Sequence, residues 1–354
     1  MPPLRGEGSG DLLSAGWTHG AIRQIDSWTA HPALVELVTL FGGVFAPHPD
    51  LDARLAFLEE FSAVWDYRTR ARRAGRVSCQ DGAGAARWEI SPLRLPVAQL
   101  NRICALVRKL GLLTGYGPTG RGFDYLLLVG GGRYANVLRA QFARELVAEC
   151  GIGHVVMAAA SRRLLPSESD AVAACAPHAR TEFELVAAAA ADAFGIDARD
   201  ALEHGRLRAD NPQRDEAAWH YTAAQTSAGV PVTLLEAPSP DPANRRATSA
   251  DTFTHSARAM AMQGATCLMA TGQPYAAFQN FDALRTLSLP FGISVQTTGF
   301  GIERYESLGE SDRQHPARLL QEVRSTIRAA RSLLGELQPP RQSVATMGQS
   351  LDGR

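Results

Sequence analysis

Lysine is almost missing from this sequence: of 36 basic residues, Lys109 alone is not an arginine. That absence excludes the lysine of a G-K-[ST] phosphate loop and leaves Lys109 as the sole candidate for Schiff-base chemistry. Net charge is missing as well, because 36 acidic residues balance the basic ones. A chain with no positive excess has little to attract nucleic acid or an anionic membrane, so neither is expected as a partner. No apolar run reaches the roughly 20 residues of a membrane span, and the opening MPPLRGEGSGDLL has no signal-peptide core. Cys79, Cys104, Cys150, Cys175 and Cys267 are scattered, with no C-x-x-C among them. Reduced thiols and a cytoplasmic location are therefore expected. The nine histidines form no H-E-x-x-H, so no metal is expected, and no G-x-S-x-G elbow marks a hydrolase triad.

What is present is organised around residues 122–147. The apolar run Tyr125–Val129 has the length of one fully buried strand, and Gly130, Gly131 and Gly132 follow it. Leu138, Phe142 and Leu146 then recur every four residues, as on one face of a helix. Strand, glycine turn and helix open a βαβ unit, in which ligands sit beyond the carboxyl end of the strand. Glycine can take φ > 0 there and lets a ligand approach the main-chain N–H groups. Gly130, Gly132 and Ala135 also fit G-x-G-x-x-A, but the second strand ends in Ala158-Ala159-Ala160-Ser161 with no acid before Glu168. A dinucleotide site wants an acid about 20 residues on, so this reading is disfavoured. A tight corner and a seat for an anionic or nucleotide-like ligand both stay open.

With 354 residues, two domains are expected. Residues 1–15 read as a flexible N-terminus, 16–118 as a helical domain, 119–337 as a Rossmann-like α/β domain and 338–354 as a disordered tail. The GYGPTGRG stretch, Gly115–Gly122, reads as the linker between the two domains. Within the second domain, strands are expected at 125–129, 154–159, 230–235, 266–270 and 293–297. The helix 182–194 starts at a Thr181 N-cap and stops at Gly195. Residues 197–228 read as polar and helical. The fold class is α/β: a mainly parallel five-stranded sheet with helices on both faces, beside an all-helical N-terminal domain.

The loops after these strands converge in such a fold. They offer Gly130, Gly131, Gly132 and Arg133, then Ser161, Glu236, Thr271, Gly272 and Gln273, while the helix from Ser249 adds Asp251, Thr252 and His255. Asp251 and His255 stand at i and i+4, so the carboxylate could orient an imidazole base; a surface salt bridge or a helix cap uses the same spacing.

The order of these motifs resembles the YdcF/SanA/ElyC-like family of bacterial Rossmann-like proteins over residues 122–300. The shared features are an L-V-G-G-G strand end, TEFEL at 181–185, a G-V-P-V strand ending at Glu236, S-A-D-T-x-x-H-S-A at 249–257 and a strand ending in Thr-Gly. The resemblance implies a pocket lined by Gly130, Gly131, Gly132, Glu236, Asp251 and Thr252, with Glu182 or Glu184 as an acid on the preceding helix. It implies S-adenosylmethionine as a ligand. Thr254-His255 and Gln273-Pro274-Tyr275 depart from the family pattern.

Two functions follow from this reading. One is an enzyme on a nucleotide-like or phosphorylated small molecule, such as an S-adenosylmethionine-dependent or phosphate-handling transferase, with His255, Asp251 and Glu236 catalytic and Gly130–Arg133, Ser161, Thr252 and Thr271–Gln273 holding the ligand. The other is a non-catalytic ligand-binding or protein-interaction protein. Convergence of Glu236, Asp251 and His255 on one pocket separates them.

Overall fold

The computed structural model describes residues 15–45, 50–73, 90–160, 162–197, 220–223, 226, 229–241 and 243–338. Among the described residues five α-helices come first: α1 (Ala15–Thr29), α2 (Pro32–Leu40), α3 (Leu51–Phe61), α4 (Tyr67–Arg73) and α5 (Val97–Lys109). Then β1 (Phe123–Val129) leads through the glycine turn into α6 (Ala135–Cys150) and β2 (Ile152–Ala160). Helices α7 (Pro166–Val172) and α8 (Glu182–Phe194), strands β3 (His220–Ala223) and β4 (Val232–Ala237), and helix α9 (Ser249–Ala259) follow. The described residues close with β5 (Thr266–Gly272), α10 (Ala276–Ala283), β6 (Ser294–Phe300) and α11 (Pro316–Leu337).

The strands form one sheet in the order β3-β4-β2-β1-β5-β6. Strands β4, β2, β1, β5 and β6 are parallel, and β3 adds an antiparallel edge to β4. Leu126–Val129 are all buried because helices cover both faces: α6 and α8 on one, α9 and α10 on the other. The expected five-stranded parallel sheet is therefore present. His220–Ala223, expected within a helical stretch, is instead a strand, since pairing with the open edge of β4 satisfies its backbone. Residues 198–219 of that stretch, the tail from 339 and residues 1–14 lie outside the described residues.

Helix α8 starts and stops where its sequence says. Thr181 Oγ1 accepts from the Glu184 amide at 3.1 Å, the Glu184 carboxylate accepts from the Thr181 amide at 3.2 Å, and Gly195 ends the helix at φ 68°.

The stretch Gly115–Gly122 does not separate two cores. Tyr116 pairs antiparallel with Gly299 of β6, its amide reaching the Gly299 carbonyl at 2.8 Å, and the Gln273 side chain donates to the carbonyls of Gly111 and Thr114. One hydrophobic core runs from Trp17 to Leu334. Helix α11 carries it across, packing on α10 from the sheet side and on α1, α3 and α5 from the N-terminal side. Its Leu319, Leu320, Val323, Ile327 and Leu334 all face that core. Among the described residues, no helix is long and apolar enough to cross a membrane.

The strand order places one point of special interest. From β1 the chain moves out through β2 to β4, then returns to the other side of β1 with β5 and β6. Between the carboxyl ends of β1 and β5 the connections diverge, and ligands of open α/β sheets bind in that crevice.

Candidate functional site

The glycine turn closes the β1 side of this crevice, and its geometry corrects two expectations. None of Gly130, Gly131 and Gly132 has positive φ; the left-handed residue is Arg133, at φ 54°. That conformation costs a non-glycine residue roughly 1 kcal/mol or more. The glycines are needed for proximity instead. A Cβ on Gly130 would stand 2.3 Å from Glu182 Oε1, and one on Gly131 would stand 2.9 Å from Arg139 Nη1. Charged side chains of the protein itself fill that room. The Gly131 amide is also spoken for, donating to Asn136 Oδ1 at 2.8 Å while the Asn136 amide returns to the Gly131 carbonyl at 2.7 Å.

Arg139, one turn into α6, is only 3% exposed. Its guanidinium donates to the carbonyls of Val129 and Gly130 and, at 3.1 Å, to Thr271 Oγ1, so it ties the end of β1 to β5. Nε makes no hydrogen bond, and no carboxylate lies within ion-pair distance of this guanidinium among the described residues. Burial pulls its pKa down, as expected for a cation moved out of water, and the Glu182 carboxylate nearby offsets only part of that.

Around it the loop after β6 supplies more charge. Glu310, almost wholly buried, pairs with Arg133 at 3.2 Å and with Arg313. Arg313 also donates to the Tyr275 hydroxyl at 2.8 Å and lies over the Tyr305 ring at 3.8 Å. Burial opposes its charge, but Tyr275, Tyr305 and Glu310 outweigh that and hold its pKa up. Asp312 takes Arg318 at 2.9 Å and Arg133 at 3.5 Å. Tyr305 is fully buried, its hydroxyl has no hydrogen-bond partner, and burial pushes its pKa up. That hydroxyl sits 2.8 Å from where a Gly272 Cβ would be. Four arginines (133, 139, 313 and 318) and three acids (Glu182, Glu310 and Asp312) thus gather around the switch point.

The end of β2 is built differently. Arg162 forms a bidentate pair with the buried Glu168, at 2.6 and 2.8 Å, and its Nε reaches Glu182. Burial works against the charge on Arg162, but the two carboxylates overcome it and raise its pKa.

The structure brings Gly130, Gly131, Arg133, Thr271 and Gly272 together here. Gln273 is fully buried, spends its amide nitrogen on the carbonyls of Gly111 and Thr114 just after α5, and has an Oε1 without a hydrogen-bond partner. Ser161 lies outside the described residues. The proposed catalytic trio lies elsewhere: Glu236 sits in β4 opposite Ala159, two strands from β1, and His255 is half-buried on α9. Asp251 is the N3 residue of a capping box. Its carboxylate accepts from the Thr248 amide at 2.8 Å, the Thr248 hydroxyl at 2.7 Å and the Arg245 guanidinium at 2.5 and 3.1 Å. Thr252 turns its hydroxyl back on the Thr248 carbonyl at 3.0 Å. Both residues thus build a helix start. Glu184 likewise caps α8, which leaves Glu182 as the acid beside the glycine turn.

Burial raises the Asp251 carboxyl, but the bonds from Arg245 and Thr248 outweigh it and hold its pKa below the ordinary range. Its contribution to stability is then present above about pH 4 and lost as pH falls through the depressed folded value. Asp251→Ala is expected to cost about 1 kcal/mol at pH 7 and less in acid, read from urea unfolding at both pH values. A loss that is unchanged in acid would contradict the capping role.

Sequence reading missed Arg139, Tyr305, Glu310, Asp312, Arg313 and Arg318. A signal existed for the last four, because the loop after a strand next to β5 must reach the switch point. Arg139 gave a weaker one, as a lone charge between the inward positions Leu138 and Phe142.

A family model described as the Rv3785 N-terminal domain matches residues 15–111, the span of α1 to α5. The chain is 58% identical over 319 residues, 89% of each chain, to the uncharacterized protein Rv3785 of Mycobacterium tuberculosis H37Rv. It shows the same identity and coverage with the uncharacterized protein Mb3814 of Mycobacterium bovis. No solved structure matches it.

Proposed function

The chain belongs to the family of the mycobacterial protein Rv3785, and we propose that it binds an anionic small molecule in the crevice between β1 and β5. One observation carries the reading: Arg139 is buried at the switch point, makes no ion pair among the described residues, and has an Nε without a partner. A buried charge is expensive unless it is paired, and an anion bound beside it supplies the pair. Arg133, partly exposed and already strained, is the side chain placed to meet such an anion from solvent.

Binding is better supported than catalysis. The groups gathered at the crevice are arginines, tyrosines and paired acids, whereas Asp251 is committed to the start of α9, and that helix, which also carries His255, packs chiefly on β2 and β4. S-adenosylmethionine, the ligand implied by the YdcF-like resemblance, brings a carboxylate of the right sign and belongs in the same comparison. Calorimetric titration with inorganic phosphate, AMP, S-adenosylmethionine and NAD tests the proposal. The expected result is saturable binding of at least one anion, weakened by Arg133→Gln. If none of them binds, or if Arg133→Gln binds as the wild type does, the site is not an anion site.

A further inference from the structure

The anion site has a neighbour of opposite sign. Glu182, the first residue of α8, is 7% exposed. Its Oε2 is paired with Arg162, while its Oε1 lies against Gly130 and accepts no hydrogen bond among the described residues. Arg139, whose Nη1 borders Gly131 next along the turn, has its Nε equally without a partner. The turn Gly130–Gly131 therefore runs between a carboxylate oxygen that can only accept and a guanidinium that can only donate. Because the glycines carry no Cβ, Glu182 reaches Gly130 and Arg139 reaches both Gly131 and the Gly130 carbonyl.

We infer that the ligand is an anion that also carries a hydrogen-bond donor, an ammonium or a hydroxyl, which Glu182 Oε1 receives while the arginines hold the anionic group. This rests on the anion reading and adds to it a substrate class: small phosphate or carboxylate compounds bearing an amine or a sugar hydroxyl. A simple anion satisfies Arg139 but leaves the Glu182 oxygen to water. A donor to a buried carboxylate is a charge-assisted bond, and its gain should be about tenfold or more in affinity.

The probes are methyl phosphate, ribose 5-phosphate and O-phosphoserine, titrated into the full-length protein. Ribose 5-phosphate or O-phosphoserine should bind about tenfold tighter than methyl phosphate. Glu182→Gln should erase the advantage of O-phosphoserine, because an amide oxygen does not compensate an ammonium. It should leave a hydroxyl donor most of its advantage, and methyl phosphate should bind no more weakly than to the wild type. Equal affinity of wild-type protein for all three probes would overturn the inference while leaving the anion site standing, and this comparison needs no variant. Binding of none of the three would remove the anion site itself.

Discussion

Replacing Arg139 by methionine is expected to reduce anion affinity at least about thirtyfold, the lower end of the 2–5 kcal/mol that removing one partner of a buried charged contact costs. Folding should survive. Methionine fills much of the same volume, and removing a buried guanidinium relieves its desolvation. Against that, the Val129 and Gly130 carbonyls and Thr271 lose a donor, at about 1–3 kcal/mol for each group left unsatisfied. Arg139→Lys keeps the charge but lacks the planar fork that reaches three acceptors, so it should fall between the two. Calorimetry with inorganic phosphate, alongside thermal melting by circular dichroism, measures both quantities. Wild-type affinity in the methionine variant would remove Arg139 from the site.

Glu168→Ala is expected to give the largest loss of stability, about 3–5 kcal/mol. Glu168 is fully buried, takes Arg162 through both oxygens and accepts the Leu165 amide at 2.9 Å at the start of α7. Its removal leaves a guanidinium that is 9% exposed facing Glu182 alone and uncovers the helix start. Glu168→Gln keeps both hydrogen-bonding positions in part and should cost distinctly less. Because the pair is buried, added salt should change the loss little. Urea unfolding at pH 7, with and without salt, reads all three outcomes. A loss below about 1 kcal/mol would place the pair among surface ion pairs, whose worth is of that order.

These two residues mark the limit of what could be read in one dimension. The five parallel strands, the turn at Gly130–Gly132, the Thr181 and Gly195 caps of α8 and the inward face of α11 were legible. Each depends on residues a few positions apart: an apolar run, a period of about four, a capping spacing. The sequence also located the crevice, since a strand followed by glycines and a helix fixes where the carboxyl end lies.

Tertiary structure decided what stands there. Three glycines look like a ligand seat in sequence, yet at Gly130 and Gly131 the space belongs to Glu182 and Arg139, one from α8 and one from α6. Asp251 and His255 look like a base and its orienting acid, yet the carboxylate is committed to Thr248 and Arg245. Arg133 meets Glu310, and Arg139 meets Thr271, across stretches of chain with no shared period. Burial decides which charges matter, because a guanidinium in water is indifferent to its neighbours and one out of water is not. Whether a given arginine is buried depends on the order of strands in the sheet and on α11 joining the N-terminal helices to it. Local periodicity sets the elements, and only their packing sets the electrostatics of the crevice.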